Sequence, residues 1–183
     1  MTTMTPITTS ARTGLADLLD GIREQTARDL GPRRTALAVA DVLRAGMPPI
    51  DLLTAEERVG DANELVSHLL HAEPAFSIKA LVWQPGQLTP IHDHIAWCAF
   101  GVMQGVEYET LYRDDGDHLT EIGRVANQVG DVSGFAPPGD IHRVHNTGDI
   151  TAISLHVYGA DLSADAVSIR REYDLRVEPD PRS

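Results

Sequence analysis

Two histidines one residue apart, His92 and His94 in the stretch "GQLTPIHDHIAWC", are residues whose type and spacing suit metal chemistry. On a strand, residues i and i+2 project from one face, so both imidazoles can reach one ion while Asp93 points away. A second histidine-bearing run follows, Pro137-Pro-Gly139-Asp-Ile-His142-Arg-Val-His145-Asn146. A third array, Ser154, His156 and Tyr158 in "AISLHVYG", alternates along one strand and brings a hydroxyl, an imidazole and a phenol onto one face. The plain alternatives are a satisfied core histidine for the first pair and a water-facing strand for the last. The one cysteine of the chain, Cys98, stands four residues after His94 and has no partner for an intramolecular disulfide.

The elements that must position these groups divide the chain. Residues 1–10, "MTTMTPITTS", and the end "RVEPDPRS" read as unstructured. Between Ala11 and Gly46 apolar residues recur at helical spacing, with Leu15, Leu18, Leu19 and Ile22 in one stripe and Leu37, Ala40, Leu43 and Ala45 in a second, split by Gly31-Pro32. Capping-box spacing at Thr54–Glu57 and again at Asp61–Glu64, ahead of Leu65, Leu69 and Leu70, predicts further short helices ending near His71. From Phe76 the pattern becomes short β-rich runs punctuated by Pro85-Gly86, Asp115-Gly116, Pro137-Pro-Gly139 and Thr147-Gly148. The expectation is a mainly β single domain, a small barrel or sandwich with the N-terminal helices packed outside. Its segments are 1–10, a helical part 11–75, a barrel 76–160 and a C-terminal extension 161–183.

At 183 residues and 42% hydrophobic, the chain suits one core. A formal charge of −12 argues against nucleic acid or anionic membrane as partner. Apolar runs fall short of the roughly 18 residues of a spanning helix, and the Thr-rich start lacks a signal-peptide pattern, so a cytoplasmic location is expected.

The two histidine runs resemble the cupin family. Gly86, His92, His94 and Gly105 fit its first motif, G-x5-H-x-H-x3/4-E-x6-G, with every spacing kept. Pro137, Gly139, His142 and Asn146 fit the second, G-x5-P-x-G-x2-H-x3-N, with Gly130 one residue too far upstream. The resemblance implies a jelly-roll barrel over residues 76–158 and a metal held by His92, His94 and His142. The position that usually carries a glutamate ligand is Cys98, which leaves three neutral ligands and a dication of undiminished charge, suited to a soft anionic ligand such as a thiolate. Imidazole alone does not select the metal.

With the Ser154-x-His156-x-Tyr158 array included, the chain is similar to the thiol dioxygenase branch of the cupins, the cysteine and 3-mercaptopropionate dioxygenases; "VWQPGQLTPIHDHIAW" and "SLHVYGA" resemble the bacterial mercaptopropionate type. That resemblance implies mononuclear Fe(II), a small organic thiol and O₂ as substrates, and a sulfinic acid as product. It assigns iron to His92, His94 and His142, hydrogen bonding at the iron to Tyr158, and the orientation of that phenol to His156 and Ser154. In animal cysteine dioxygenases a cysteine at the place of Cys98 forms a thioether with the relay tyrosine, so Cys98 is either crosslinked to Tyr158 or a buried free thiol. The residue that holds the substrate carboxylate in the family, Arg or Gln, falls on Ser67, with Leu65 in place of a tyrosine. A small Ser67 points away from L-cysteine, toward 3-mercaptopropionate or a bulkier thiol such as ergothioneine. Trp97 and Trp83 are expected in packing or the pocket wall, Arg143 faces away from His142, and His68, His71, His118 and His145 are surface or structural. Two other assignments compete: a non-catalytic metal-binding cupin that senses or carries a ligand, and a cupin dioxygenase of carbon substrates.

Overall fold

The computed structural model describes residues 12–163 and 166–180. The expected unstructured start, residues 1–10, lies outside the described residues. Helix α1 (Leu15–Thr26) buries Leu15, Leu18, Leu19 and Ile22, the stripe expected for it. Helix α2 (Pro32–Gly46) begins at a proline that needs no amide hydrogen there, after Gly31 with φ 74°. Its buried face is Ala36, Val39, Ala40 and Leu43. The expected stripe was rotated: Leu37 and Ala45 are exposed, and the i, i+3, i+4, i+7 set one residue earlier carries the contact.

Eleven strands follow among the described residues: β1 (Val66–Glu73), β2 (Phe76–Trp83), β3 (Ile91–His94), β4 (Cys98–Gln104), β5 (Glu107–Asp114), β6 (Leu119–Asn127), β7 (Val132–Phe135), β8 (His142–His145), β9 (Ala152–Tyr158), β10 (Ile169–Tyr173) and β11 (Val177–Pro179). They form two sheets, one in the order β1-β2-β9-β4-β7 and the other β10-β3-β8-β5-β6-β11. The two-residue period divides the first sheet cleanly. Phe76, Ile78, Ala80 and Val82 of β2, Ala99 of β4, and Ile153, Leu155 and Val157 of β9 join the helices in one apolar core. Their alternates face the second sheet, and the cavity described below opens between the two.

The helical expectation for residues 54–71 requires correction. The reciprocal bonds of the first capping box do form, Thr54 N–H to Glu57 Oε2 at 2.9 Å and Glu57 N–H to Thr54 Oγ1 at 3.2 Å, but they close a turn and no helix. Asp61 makes a local bond to the Asn63 amide at 2.7 Å, and Val66–Glu73 is strand β1, paired antiparallel with β2. Ladder bonds to a neighbouring strand outweigh a local capping signal. The sheet therefore begins at Val66, ten residues before the expected boundary. The C-terminal extension is likewise part of the sheets: β10 pairs with β3, and β11 runs parallel to Leu119–Glu121 of β6. Runs of five and three residues are too short to show an alternation in sequence.

Helix α2 lies close against β7 at Gly134. A β-carbon there would stand 2.6 Å from the Ala36 carbonyl oxygen, a backbone atom that cannot swing aside. Gly134→Ala is expected to destabilise the fold by about 1–3 kcal/mol through forced separation of helix and sheet, read as a lower denaturant midpoint at unchanged slope.

Candidate metal centre and substrate cavity

Strands β3 and β8 are antiparallel neighbours with His92 directly opposite His142. His94, two residues on, faces the same way, so three imidazoles from two strands converge, with ring centroids 4.7–5.0 Å apart. One ligand nitrogen from each lies within 4.8 Å of the others, and all three residues are buried.

What stands behind each ring decides its tautomer. Nδ1 of His92 lies 3.0 Å from the Pro90 carbonyl oxygen, Nδ1 of His94 lies 3.0 Å from Asp140 Oδ2, and Nδ1 of His142 lies 2.8 Å from Glu109 Oε1. Each neighbour is an acceptor only, so each Nδ1 carries the hydrogen and each Nε2 keeps its lone pair. The Nε2 of His142 is buried with no hydrogen-bond partner, an atom whose desolvation is offset only by a ligand. Burial, with the neighbouring imidazoles adding to it, holds His92 down to about 3, and burial also lowers His94. Three neutral nitrogen donors aimed at one point fit a divalent transition metal.

Asp93, between the two ligands, turns the other way. It accepts from the Tyr173 hydroxyl at 2.9 Å and pairs with Arg170, which fastens β10 to β3 behind the site. Asn146 of the second motif holds the adjoining turn: its amide donates to the carbonyls of Trp83 and Ile150, both at 2.9 Å, while Gly86 N–H reaches the Asn146 carbonyl at 2.8 Å.

The cavity over the imidazoles has a volume of about 190 Å³. Ser67, Lys79, Leu81, Trp83, His156 and Tyr158 contribute its wall from the first sheet, and Ser168 and Ile169 close it from the C-terminal segment. Ser154 sits one layer behind: its Oγ lies 2.9 Å from His156 Nε2 and receives Trp83 Nε1–H at 3.3 Å. Tyr158 meets His156 through its ring, at 5.9 Å between centroids, and has the Ser168 hydroxyl as its hydrogen-bond neighbour. Burial raises the phenol well above its ordinary range, so it keeps its proton at neutral pH.

Cys98 is fully buried, directly opposite Tyr158 in the β4–β9 ladder, and its sulfur lies 3.9 Å from His156 Nδ1. Burial, then the charges of Glu107, Glu109 and Asp140, raise the thiol well above its ordinary value. Trp97 is not in the cavity wall. It faces the helix side, where its indole occupies the space that a β-carbon on Gly159 would need. Arg143 points to the opposite face of β8, as do the groups around His145, which stacks on Tyr108. His68, His71 and His118 bond Glu57, Glu73 and Asp117 away from the site. Sequence reasoning missed the carboxylates Glu107, Glu109 and Asp140 and the cavity residue Lys79. The signal for the first two was present in "VEYET", where two acids alternate onto the face that also carries Leu111.

Three imidazoles that converge in a buried cavity between two β-sheets define a candidate site for a divalent metal. The model of the family described as cysteine dioxygenase type I matches residues 59–168, more than half of the chain, and the protein belongs to that family. It is a thiol dioxygenase, an O₂-dependent oxidoreductase. Among solved structures it is similar to a cupin superfamily protein from Desulfitobacterium hafniense, with 17% identity, a TM-score of 0.46, and coverage of 62% of this chain and 89% of that one. It is also similar to a protein with a double-stranded β-helix domain from Klebsiella pneumoniae, with 19% identity, a TM-score of 0.48, and coverage of 66% and 96%. No helix among the described residues is long and apolar enough to cross a membrane.

Two outcomes are expected from the imidazole pins. Glu109→Gln removes the acceptor charge behind His142 at nearly constant volume, and metal affinity in a chelator competition falls about 10–100-fold. Because folded His92 titrates near 3 and the unfolded residue near 6.5, the unfolded chain binds the proton first. The contribution of His92 to the stability of the metal-free protein is therefore fully present above about pH 6.5 and is lost as pH falls toward about 3, read as a falling melting temperature.

Proposed function

We propose that the metal is Fe(II), held by His92, His94 and His142. We propose further that the substrate is a small organic thiol other than L-cysteine, either 3-mercaptopropionate or a bulkier thiol such as ergothioneine, oxidised to its sulfinic acid. The observation that carries this is the donor set: three neutral nitrogens, with the nearby carboxylates behind the imidazoles and not among the donors. Such a set leaves the charge of a divalent ion to be met by the substrate, which favours a thiolate. Fe(II), when bound, supplies the coordination of sulfur and the activation of O₂.

The chain's own residues supply the rest. The pinned imidazoles hold the site in one geometry. Leu81, Trp83, Phe135 and Val144 line the cavity with apolar surface that excludes water from the reacting sulfur. Tyr158 keeps a hydroxyl proton at the cavity edge, where it can donate to the substrate. Ser67, the residue on which the family's carboxylate-binding position falls in the sequence, lines the cavity with a small side chain, which suits a longer or wider thiol. The direct pairing of Cys98 with Tyr158 also suits a thioether between them.

Oxygen consumption by anaerobically Fe(II)-loaded protein, followed by product mass, tests the reaction against cysteine, 3-mercaptopropionate, cysteamine and ergothioneine. Sulfinate from 3-mercaptopropionate or ergothioneine, lost in His92→Ala, is expected. Rapid turnover of L-cysteine at low KM contradicts the substrate assignment, and no uptake with any thiol from iron-loaded protein contradicts the reaction. Intact mass decides between a thioether and a buried free thiol at Cys98: a deficit of two hydrogens in active protein, absent from Cys98→Ala, supports the crosslink, and the full sequence mass in active protein contradicts it.

A further inference from the structure

Glu107 is the buried titratable group that the reaction so far leaves without a task. It opens β5 in the second sheet, is 1% exposed, and reaches behind the cavity wall to the first sheet, where Ser154 Oγ donates to its Oε2. Its Oε2 lies 3.5 Å from His156 Nε2, and its Oε1 is buried without a hydrogen-bond partner. An acid placed so expensively has a physical consequence that follows from counting donors around one oxygen.

A serine hydroxyl has one hydrogen to give and two lone pairs to receive. The hydrogen of Ser154 is taken by Glu107, because a carboxylate can only accept. One lone pair receives Trp83 Nε1–H, and indole can only donate. The remaining lone pair faces His156 Nε2 at 2.9 Å, so that nitrogen must carry a hydrogen. The neutral ring then has its lone pair on Nδ1, the atom 3.9 Å from Cys98 Sγ. Without Glu107, Ser154 would be released to donate to His156 Nε2, and the ring would settle with its hydrogen on Nδ1.

We propose that Glu107 is a positioning residue of the reaction: by taking the Ser154 hydrogen it places the His156 proton on Nε2 and reserves Nδ1 as a proton acceptor beside Cys98, on a ring that stacks against Tyr158. Its negative charge also faces the imidazolium that forms when Nδ1 takes a proton, the service an orienting carboxylate gives a catalytic histidine. The catalytic use of that acceptor rests on the dioxygenase reading above; the tautomer does not.

The two are separated by measuring them apart. In metal-free protein labelled with ¹⁵N-histidine, the nitrogen resonances should show His156 with its hydrogen on Nε2, opposite to His92, His94 and His142, which carry theirs on Nδ1. Glu107→Leu should move the His156 hydrogen to Nδ1, and the size-preserving Glu107→Gln should populate both forms, which keeps the test available if the leucine variant does not fold. In the iron-loaded protein each variant should lose kcat, on the order of 10²-fold for Glu107→Leu, with KM for the thiol unchanged. A His156 hydrogen that stays on Nε2 in both variants overturns the proposal. So does a switched tautomer with unchanged kcat. Wild-type protein that shows the expected tautomer but oxidises no thiol overturns the dioxygenase reading and leaves the tautomer assignment standing.

Discussion

Everything at this site depends on one constraint: a buried imidazole can offer a lone pair to a metal only if its other nitrogen has somewhere to put its hydrogen. His92 gives it to the Pro90 carbonyl, His94 to Asp140 and His142 to Glu109. Those three acceptors fix ring orientation and tautomer together, and they do so before any metal arrives. Two carry formal charge, so the site is neutral where it meets a ligand and negative one layer back. That arrangement differs from one with a carboxylate donor, where the charge is spent on the metal and less is left for the substrate to satisfy. A fully buried Cys98 in place of a glutamate follows the same logic, since neither a thiol nor a thioether there adds negative charge to the site.

The two sheets divide the work. The second sheet holds the three imidazoles on β3 and β8, and the first holds Ser154, His156 and Tyr158 on β9. The stretches that carry the site, His92 to His94 of β3 and Ser154 to Tyr158 of β9, must alternate, since the other face is committed to the helix core in the first sheet and to Asp93–Arg170–Tyr173 in the second. The hydrogen bond from Ser154 to Glu107 joins the two sheets behind the cavity wall. A shift of one sheet over the other would disturb the orientation of His156 along with the packing, so rigidity of the sandwich and geometry of the site are the same property.

What could be read from sequence was local. His92 and His94 share a face by the two-residue period alone, and the β9 array does so for the same reason. Helix α1 declared its buried stripe. Glu109 could be placed on an inward face from its alternation with Glu107, but the pairing of carboxylates with imidazoles was not legible, because the partners lie far along the chain: Glu109 serves His142 and Asp140 serves His94, pairings that exist only once the strands have found one another. The error at Val66–Glu73 has a related cause. Thr54 and Glu57 make real capping bonds, yet the chain beyond them is claimed by β2, and a ladder of eight residues outweighs one reciprocal pair. Trp97 was assigned to packing or pocket without a way to choose; its place over Gly159 on the helix side depends on which face of β4 and β9 it meets.

X-ray absorption at the iron edge of anaerobic, Fe(II)-loaded protein, recorded with and without the thiol that supports turnover, tests the central claim most directly. The donor set described here requires three imidazole nitrogens in both states and one added sulfur when the thiol is present. A carboxylate in the coordination shell, fewer than three imidazoles, or a thiol that leaves the shell without sulfur would contradict it.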